Sequence, residues 1–273
     1  MTNTATDPFH IRLRRGDTLV GTFCKIPSAL VTEVLAGTPL DCLCLDGEHG
    51  PFGPLEMDQS LMVARALGKP AIVRTRTSAP EHILAALDGG ATALLVPHVR
   101  SAAEAAAVAR SARFGPGGRG FAGHTRSALL GNRGMAEHFA RSGEETCVIA
   151  QIEDAEALED LDAIAATPGI DALFVGRIDM TVSLGGLDPK APAVLEVVER
   201  ICAAGRRAGK PVGMFTPDLA ELPRWRAAGA SLFLLGSDQG LLQLGARKLA
   251  ADIAVALAVP AAVPAAVPPS AGA

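Results

Sequence analysis

Short aliphatic and β-branched runs alternate along almost the whole chain with Ala-, Leu- and Glu-rich stretches of helical period, and this alternation is the signature of parallel βα units. Strands are predicted at Thr18–Phe23, Leu40–Asp46, Ala71–Arg74, Ala91–Val96, Thr146–Ile152, Ala172–Val175, Pro211–Met214 and Ser231–Leu235. Helices are predicted at Ser28–Ala36, Leu55–Leu67, Pro80–Leu87, Ala102–Ser111, Ala155–Ala165, Ala193–Ala208, Leu219–Ala228 and Gln239–Leu257. Eight strand–helix pairs over roughly 250 residues predict an α/β fold of the (β/α)8 TIM-barrel type, whereas a doubly wound open sheet needs only about five to seven strands. One barrel domain is expected over residues 1–258. Residues 259–273 read VPAAVPAAVPPSAGA, where Pro260, Pro264, Pro268 and Pro269 forbid a continuous helix, and a disordered Pro/Ala-rich tail is expected there. No Gly-x-Gly-x-x-Gly follows the first strand, and the later cluster Gly115-Pro-Gly-Gly-Arg-Gly120 opens a long irregular segment, so a dinucleotide site is poorly supported.

Composition removes several function classes. With 49% hydrophobic and 20% charged residues the chain has ample material for a core. A net charge of −4, spread along the sequence, argues against a nucleic-acid partner, and the absence of Tyr beside a single Trp leaves no base-stacking platform. No apolar run reaches the roughly 18 to 20 residues of a membrane span and the N-terminus lacks an apolar leader core, so a soluble cytoplasmic protein without a membrane partner is expected. Cys24, Cys42, Cys44, Cys147 and Cys202 are odd in number and, Cys202 apart, sit in strand-like runs, which predicts reduced core thiols.

The polar residues just past successive strand ends are more informative, because barrel active sites are built there. The second strand ends in Asp46-Gly-Glu-His-Gly50, the third in Arg74, the fourth in Pro97-His98, the fifth in Gln151-Ile-Glu153 and the sixth in Gly176-Arg-Ile-Asp179. Glu153 and Asp179, 26 positions apart, should project from neighbouring strand ends, and two oxygen ligands with little nitrogen or sulfur nearby suit a hard divalent cation. Both could instead cap the helices that follow them. His49, flanked by glycines and acids, could be held as a base near neutral pH, with Asp88 as its partner from the adjacent βα unit. Arg74 suits a bidentate grip on a substrate carboxylate, or an ion pair with a rim acid; Arg76 could equally be the inward one. His98, Arg119, His124 and Arg126 come from longer loops and are as readily surface or subunit-contact residues.

From about Gly21 to Leu249 the sequence resembles the HpcH/HpaI family of class II, metal-dependent aldolases and lyases. The resemblance is carried by Leu45-Asp-Gly-Glu-His49, Val73-Arg74, Leu87-Asp88-Gly-Gly, Leu94-Leu-Val-Pro97, Arg119-Gly120, Gln151-Ile-Glu153 and Leu173-Phe-Val-Gly176 with Asp179, in the family's order. It implies cleavage or formation of 4-hydroxy-2-keto acids from pyruvate, or a related 2-keto acid, and a small aldehyde through a metal-stabilised enolate. Magnesium, manganese or cobalt would be the ion, with Glu153 and Asp179 as ligands. Arg74 would bind the keto-acid carboxylate, His49 and Asp88 would form the acid–base dyad, and Gln151 would stand at the edge of the metal site. Many pyruvate aldolases of the family carry Pro-Ala-Asp-Leu-Ser around the second ligand, whereas this chain has Arg177-Ile178-Asp179-Met180-Thr181. Ile178 is therefore expected to narrow the wall beside the keto acid, and Arg177 to serve a subunit contact. The resemblance further implies a homo-hexamer, a trimer of dimers with C-terminal helices exchanged. The alternative on the same scaffold is an acyl-CoA lyase or citrate-synthase-like enzyme, for which Arg113, Arg119 and Arg126 would have to hold the nucleotide.

Overall fold

The computed structural model describes residues 7–257. Its strands are β1 (Leu19–Cys24), β2 (Cys42–Asp46), β3 (Ala71–Arg74), β4 (Ala93–Val96), β5 (Cys147–Ile152), β6 (Ala172–Val175), β7 (Val212–Phe215) and β8 (Ala230–Ser237). Each pairs in parallel with its successor, and β8 pairs back with β1 to close the barrel. All eight predicted strands are present and a helix follows every one, so the alternation in the sequence is the (β/α)8 fold. Three helices lack a counterpart in the sequence reading: Phe9–Arg15, Met135–Glu145 and Arg177–Ser183. They are short, and Met135–Glu145 buries only His138 and Ser142, so no apolar stripe announces it. Contacts divide the chain into two compact units, one ending at Asp238 and one beginning at Gln239, the latter holding most of the helix Asp238–Ala256. The predicted tail, 259–273, lies outside the described residues. Among the described residues no helix is long and apolar enough to cross a membrane.

Side chains alternate between the two faces of a strand, and here the faces feed two separate cores. Leu43 and Leu45, Val73, Leu94 and Val96, Val148 and Ala150 point outward into the layer shared with the helices. Cys42 and Cys44, Ile72, Ala93 and Leu95, Cys147 and Ile149, Ala172 and Phe174 point inward. Because both faces are buried the strands read as near-continuous apolar runs, which is what made them visible in the sequence. The five cysteines are free and buried among these groups, behaving as small apolar side chains. The helix Phe9–Arg15 adds Phe9 and Leu13 to the interior cluster. It is held at the N-terminal ends of the strands by Arg12 on Asp41 (2.8 Å) and Arg14 on Asp171 (2.9 Å). That end is plugged, and the C-terminal mouth is left for chemistry.

Gly21 of β1 marks the closest approach of neighbouring strands in the barrel wall. A Cβ there would stand 2.7 Å from both the carbonyl oxygen and the Sγ of Cys42. Backbone cannot yield as a flexible side chain would, so Gly21→Ala is expected to destabilise the fold by about 1–3 kcal/mol, the usual cost of overpacking. The measurement is the urea midpoint; an unchanged midpoint would show that β1 and β2 do not pack at this separation.

Candidate active site

The inward alternation continues past the last strand residues and decides which side chains reach the mouth. After Cys42 and Cys44 the next inward position is Asp46; after Ile72 it is Arg74; after Cys147 and Ile149 come Gln151 and Glu153. On β6 the corresponding position after Ala172 and Phe174 is Gly176. A Cβ at Gly176 would lie 2.5 Å from Glu153 Cβ and 2.6 Å from its Oε2, so the missing side chain is the space that the carboxylate occupies.

Asp46 and Arg74, both buried, form the centre of the arrangement. Arg74 donates from Nε to Oδ1 at 2.9 Å and from Nη2 to Oδ2 at 2.7 Å. The amides of Glu48 and His49 also donate to Oδ1, at 3.2 and 3.1 Å, and the Lys25 ammonium stands 3.5 Å from Oδ2. Burial pushes the Asp46 carboxyl up, but Arg74, the His49 amide and Lys25 together outweigh it and hold the group below its ordinary value. The side-on fork of Arg74, expected to grip a substrate, is thus occupied by Asp46. Its Nη1 edge faces Glu48 Oε2 at 3.2 Å, with the Phe23 ring 4.8 Å from the guanidinium carbon. Arg76, the alternative inward cation, instead donates to the carbonyl oxygens of Gly47 and Phe52.

Across from this pair three side chains converge. Ligand atoms of Glu48, His98 and Glu153 all lie within 4.8 Å of one another. Glu153 is fully enclosed and accepts hydrogen bonds from the Gln151 side-chain amide and, at 2.8 Å, from the His98 backbone amide. Burial raises its pKa against those bonds, and the charge of Asp179 raises it further. Burial, opposed by Arg74 and reinforced by Glu153, pushes the Glu48 carboxyl up to about 7. His98 adopts φ 55°, a left-handed conformation that costs a residue with a side chain on the order of 1–2 kcal/mol. Its amide bond to Glu153 and its Nδ1 contact with Asp154 at 3.0 Å hold it there. Burial lowers the His98 imidazole pKa, but Asp154, Glu153 and Glu48 outweigh it and raise the value. Glu48 Oε2 and Gln151 Oε1 are buried acceptors without a hydrogen-bond partner among the described residues. An oxygen-rich group with one imidazole, orphan acceptors and too little positive charge fits a hard divalent cation.

The remaining predicted residues fall as follows. His49 projects a side chain that is 52% exposed, with Nε2 3.9 Å from Glu48 Oε2. Burial and Arg74 lower its pKa, which favours the neutral ring, the form able to accept a proton. Asp179 lies in the first turn of the helix Arg177–Ser183, and its charge acts on both Glu153 and His49. Ile178 beside it is 51% exposed. Arg177, expected at a subunit contact, is buried and ion-paired with Glu221 at 2.8 Å, which leaves it no surface to offer. Asp88 ends the helix Pro80–Asp88 and pairs with Arg119 at 3.2 Å; among the described residues no hydrogen bond or ion pair joins it to His49. The structure therefore gathers His49, Arg74, Gln151, Glu153 and Asp179, adds Asp46, Glu48 and His98, and sets Asp88 apart. The added residues all stand at strand ends in the sequence; strand parity could have selected Asp46 and Glu48, which continue the inward series of Cys42 and Cys44, whereas His98 has the parity of outward-facing Val96 and reaches the group through its left-handed backbone. Arg113, Arg119 and Arg126 each answer to a different carboxylate, Asp171, Asp88 and Asp58, at 3.3, 3.2 and 2.6 Å.

The sequence model of the HpcH/HpaI aldolase/citrate lyase family matches residues 19–243. A 5-keto-4-deoxy-D-glucarate aldolase from Salmonella arizonae is 34% identical over 244 residues, covering 89% of this chain and 94% of the relative. Among solved structures, an HpcH/HpaI aldolase/citrate lyase family protein from Burkholderia cenocepacia superposes with a TM-score of 0.85 at 33% identity, covering 91% of this chain and 99% of that one. The citrate synthase SbnG superposes with a TM-score of 0.80 at 27% identity, over 92% and 97% of the two chains.

The raised Glu48 pKa has a direct consequence for stability. Folding binds this proton more tightly, so the stabilisation is complete below the ordinary value of 4.5 and is lost as pH rises through about 7. In the presence of a chelator, the Tm of Glu48→Gln should fall less between pH 5 and pH 8 than that of the unaltered chain. Parallel Tm profiles would show that the carboxyl titrates at its ordinary value.

Proposed function

The chain belongs to the HpcH/HpaI aldolase/citrate lyase family and is a metal-dependent aldolase, a carbon–carbon lyase acting on keto acids, and on that premise we propose that its donor is pyruvate or a closely related 2-keto acid and its acceptor a small aldehyde. In cleavage the hydroxyl at C4 gives up its proton, the C3–C4 bond breaks and the aldehyde departs. The electron pair stays with the keto-acid fragment, which gains a proton at C3. The 5-keto-4-deoxy-D-glucarate named for the relatives is, numbered from its other carboxylate, a 4-hydroxy-2-keto acid, so keto-deoxy sugar acids head the substrates to be screened.

The observation that carries the reading is Glu153, a buried carboxylate at the inward end of β5 whose proton affinity is raised by burial and by Asp179. Two acids so placed are relieved by a cation. We assign Glu153 and Asp179 as its ligands, with Gln151 fixing the Glu153 carboxylate and Glu48 and His98 closing the opposite side. A bound magnesium, manganese or cobalt ion supplies Lewis-acid stabilisation of the charge that develops as the bond breaks. Arg74 holds the keto-acid carboxylate through its Nη1 edge, while Asp46 prevents the guanidinium from turning. Glu48, which faces that edge at 3.2 Å, yields it to the substrate carboxylate by turning to the cation. His49 is the base for the C4 hydroxyl. Its amide is fixed by Asp46, to which we assign the positioning role expected of Asp88. Ile178, next to Asp179 in the chain, narrows the wall beside the keto acid. A cytoplasmic homo-hexamer completes the reading; Leu241, Leu242, Leu244, Leu249 and Ile253 of the helix Asp238–Ala256 supply apolar surface of the kind such an assembly covers.

Retro-aldol cleavage should cease in EDTA and return with manganese, cobalt or magnesium. Glu153→Gln and Asp179→Asn should each weaken metal binding measured by calorimetry while keeping the circular dichroism of the barrel. Full turnover in chelator would sink the metal assignment. His49→Ala should lose roughly 10²–10⁴ in kcat for cleavage, the usual worth of a positioned acid–base group. Oxaloacetate decarboxylation, which moves no hydroxyl proton, should persist in that variant. Equal loss of both activities would make His49 structural and transfer the base role to another residue.

A further inference from the structure

Away from the barrel mouth, a cavity of about 750 Å³ opens beside the N-terminal ends of β3, β4 and β5, next to the helix Met135–Glu145. Arg119, Arg133 and His138 line it. The side chain of Arg119 is 1% exposed and the whole of His138 is 1% exposed. Nε and Nη2 of Arg119, Nε of Arg133 and both ring nitrogens of His138 have no hydrogen-bond partner among the described residues. Arg119 has one ionic neighbour, Asp88 at 3.2 Å from Nη2, and that contact lacks hydrogen-bond geometry.

The chain is folded tightly to bring these groups together. Gly115 and Gly117 adopt φ 133° and 70°, and a Cβ at Gly118 would collide with the Arg113 carbonyl, so the turn tolerates little besides glycine. It returns the Arg119 amide to the Arg113 carbonyl oxygen at 2.8 Å and lays the guanidinium carbon 4.1 Å over the Phe114 ring. The His138 ring meets the same phenyl edge-on, 5.1 Å between centroids, and Phe121 at 5.5 Å. The donors of Arg119 and His138 are therefore packed against one phenyl ring. Enclosing a guanidinium without filling its hydrogen bonds is costly. Burial holds both Arg119 and His138 below their ordinary pKa values, and the neighbouring cations add to the effect on His138. Five Arg or Lys side chains line the cavity against two Glu, so its field favours anions. Nε of Arg119, which has no partner among the described residues, and Nη2, whose one neighbour is Asp88 without hydrogen-bond geometry, are the side-on fork that matches two oxygens of one oxyanion.

We propose that this cavity is a binding site for a small oxyanion, a carboxylate or a phosphate, gripped by the Arg119 fork with His138 and Arg133 beside it. None of these three side chains belongs to the Glu48–His98–Glu153 group at the barrel mouth. The test is a histidine-ring carbon NMR titration of the full chain at pH 7 and constant ionic strength, with inorganic phosphate in one arm and acetate in the other. The His138 Cε1–H signal, assigned by its loss in His138→Gln, should move saturably. Movement in the phosphate arm alone supports a phosphoryl ligand, in the acetate arm alone a carboxylate ligand, and in both a general oxyanion site. Arg119→Lys keeps the charge but removes the fork, and should weaken the saturation constant about tenfold or more. A His138 signal that neither anion moves in the unaltered chain overturns the proposal, and an unchanged constant in a folded Arg119→Lys overturns the grip assigned to Arg119.

Discussion

The buried pair of Asp46 and Arg74 is the contact on which the barrel mouth depends. Taking two charges out of water is costly and is offset only when the remaining hydrogen-bonding groups are filled. Asp46 meets that condition with four donors, two from Arg74 and the amides of Glu48 and His49. The same bonds shape the turn after β2. Gly47 donates to the Arg74 carbonyl oxygen at 2.9 Å and Gly50 to that of Asp46 at 3.1 Å, so Glu48 and His49 are presented from a turn fastened at both ends. A Cβ at Gly47 would stand 2.8 Å from the Arg74 carbonyl oxygen, which explains the glycine there. The orientation of Glu48 and His49 thus follows from a buried ion pair, and the guanidinium that completes it turns its Nη1 edge to Glu48.

Around this fixed pair the mouth concentrates negative charge. The charges of Glu48 and Asp179 each act against that of Glu153, and burial already disfavours the ionised forms of Glu48 and Glu153. Glu48 and Glu153 accordingly hold their protons more tightly than free carboxyls do, a crowding that a bound cation would relieve. Gly176 makes room for Glu153, and the left-handed His98 turns its amide onto that carboxylate. Backbone constraints on two neighbouring strands therefore serve a single carboxyl group.

The cavity near Arg119 has the opposite character. Its enclosed groups are donors with a surplus of positive charge, and the Asp88–Arg119 contact connects its wall to a second cavity of about 560 Å³ that Asp88 shares with Arg74. Both regions enclose charge without a full set of partners, with opposite signs and at different heights on the barrel. This is the arrangement expected of a scaffold whose apolar layers supply the stability and whose strand ends and loops carry the polar specificity.

The barrel was legible in the sequence because strands buried on both faces must be apolar throughout, and eight such runs separated by helical stretches admit few architectures. The polar residues at strand ends were legible for the same reason, since charge interrupting an apolar run is conspicuous. What the sequence could not show was direction. Arg74 and Arg76 differ by two positions, yet one completes the buried pair and the other turns back to the Gly47 and Phe52 carbonyls once the strand has ended. Asp88 stood close to His49 in a scheme of adjacent units, and the ionic neighbour that the fold gives it is Arg119, 31 positions away, which follows the glycine turn. His98 looked like a loop residue because its place depends on a backbone conformation maintained by Glu153 and Asp154, 55 and 56 positions away. The sequence by itself determined the alternation, the barrel and the stock of chemistry at its mouth. Tertiary structure alone decided which of these groups meet, because strand register and the returning loops set side-chain direction through contacts that no local pattern encodes.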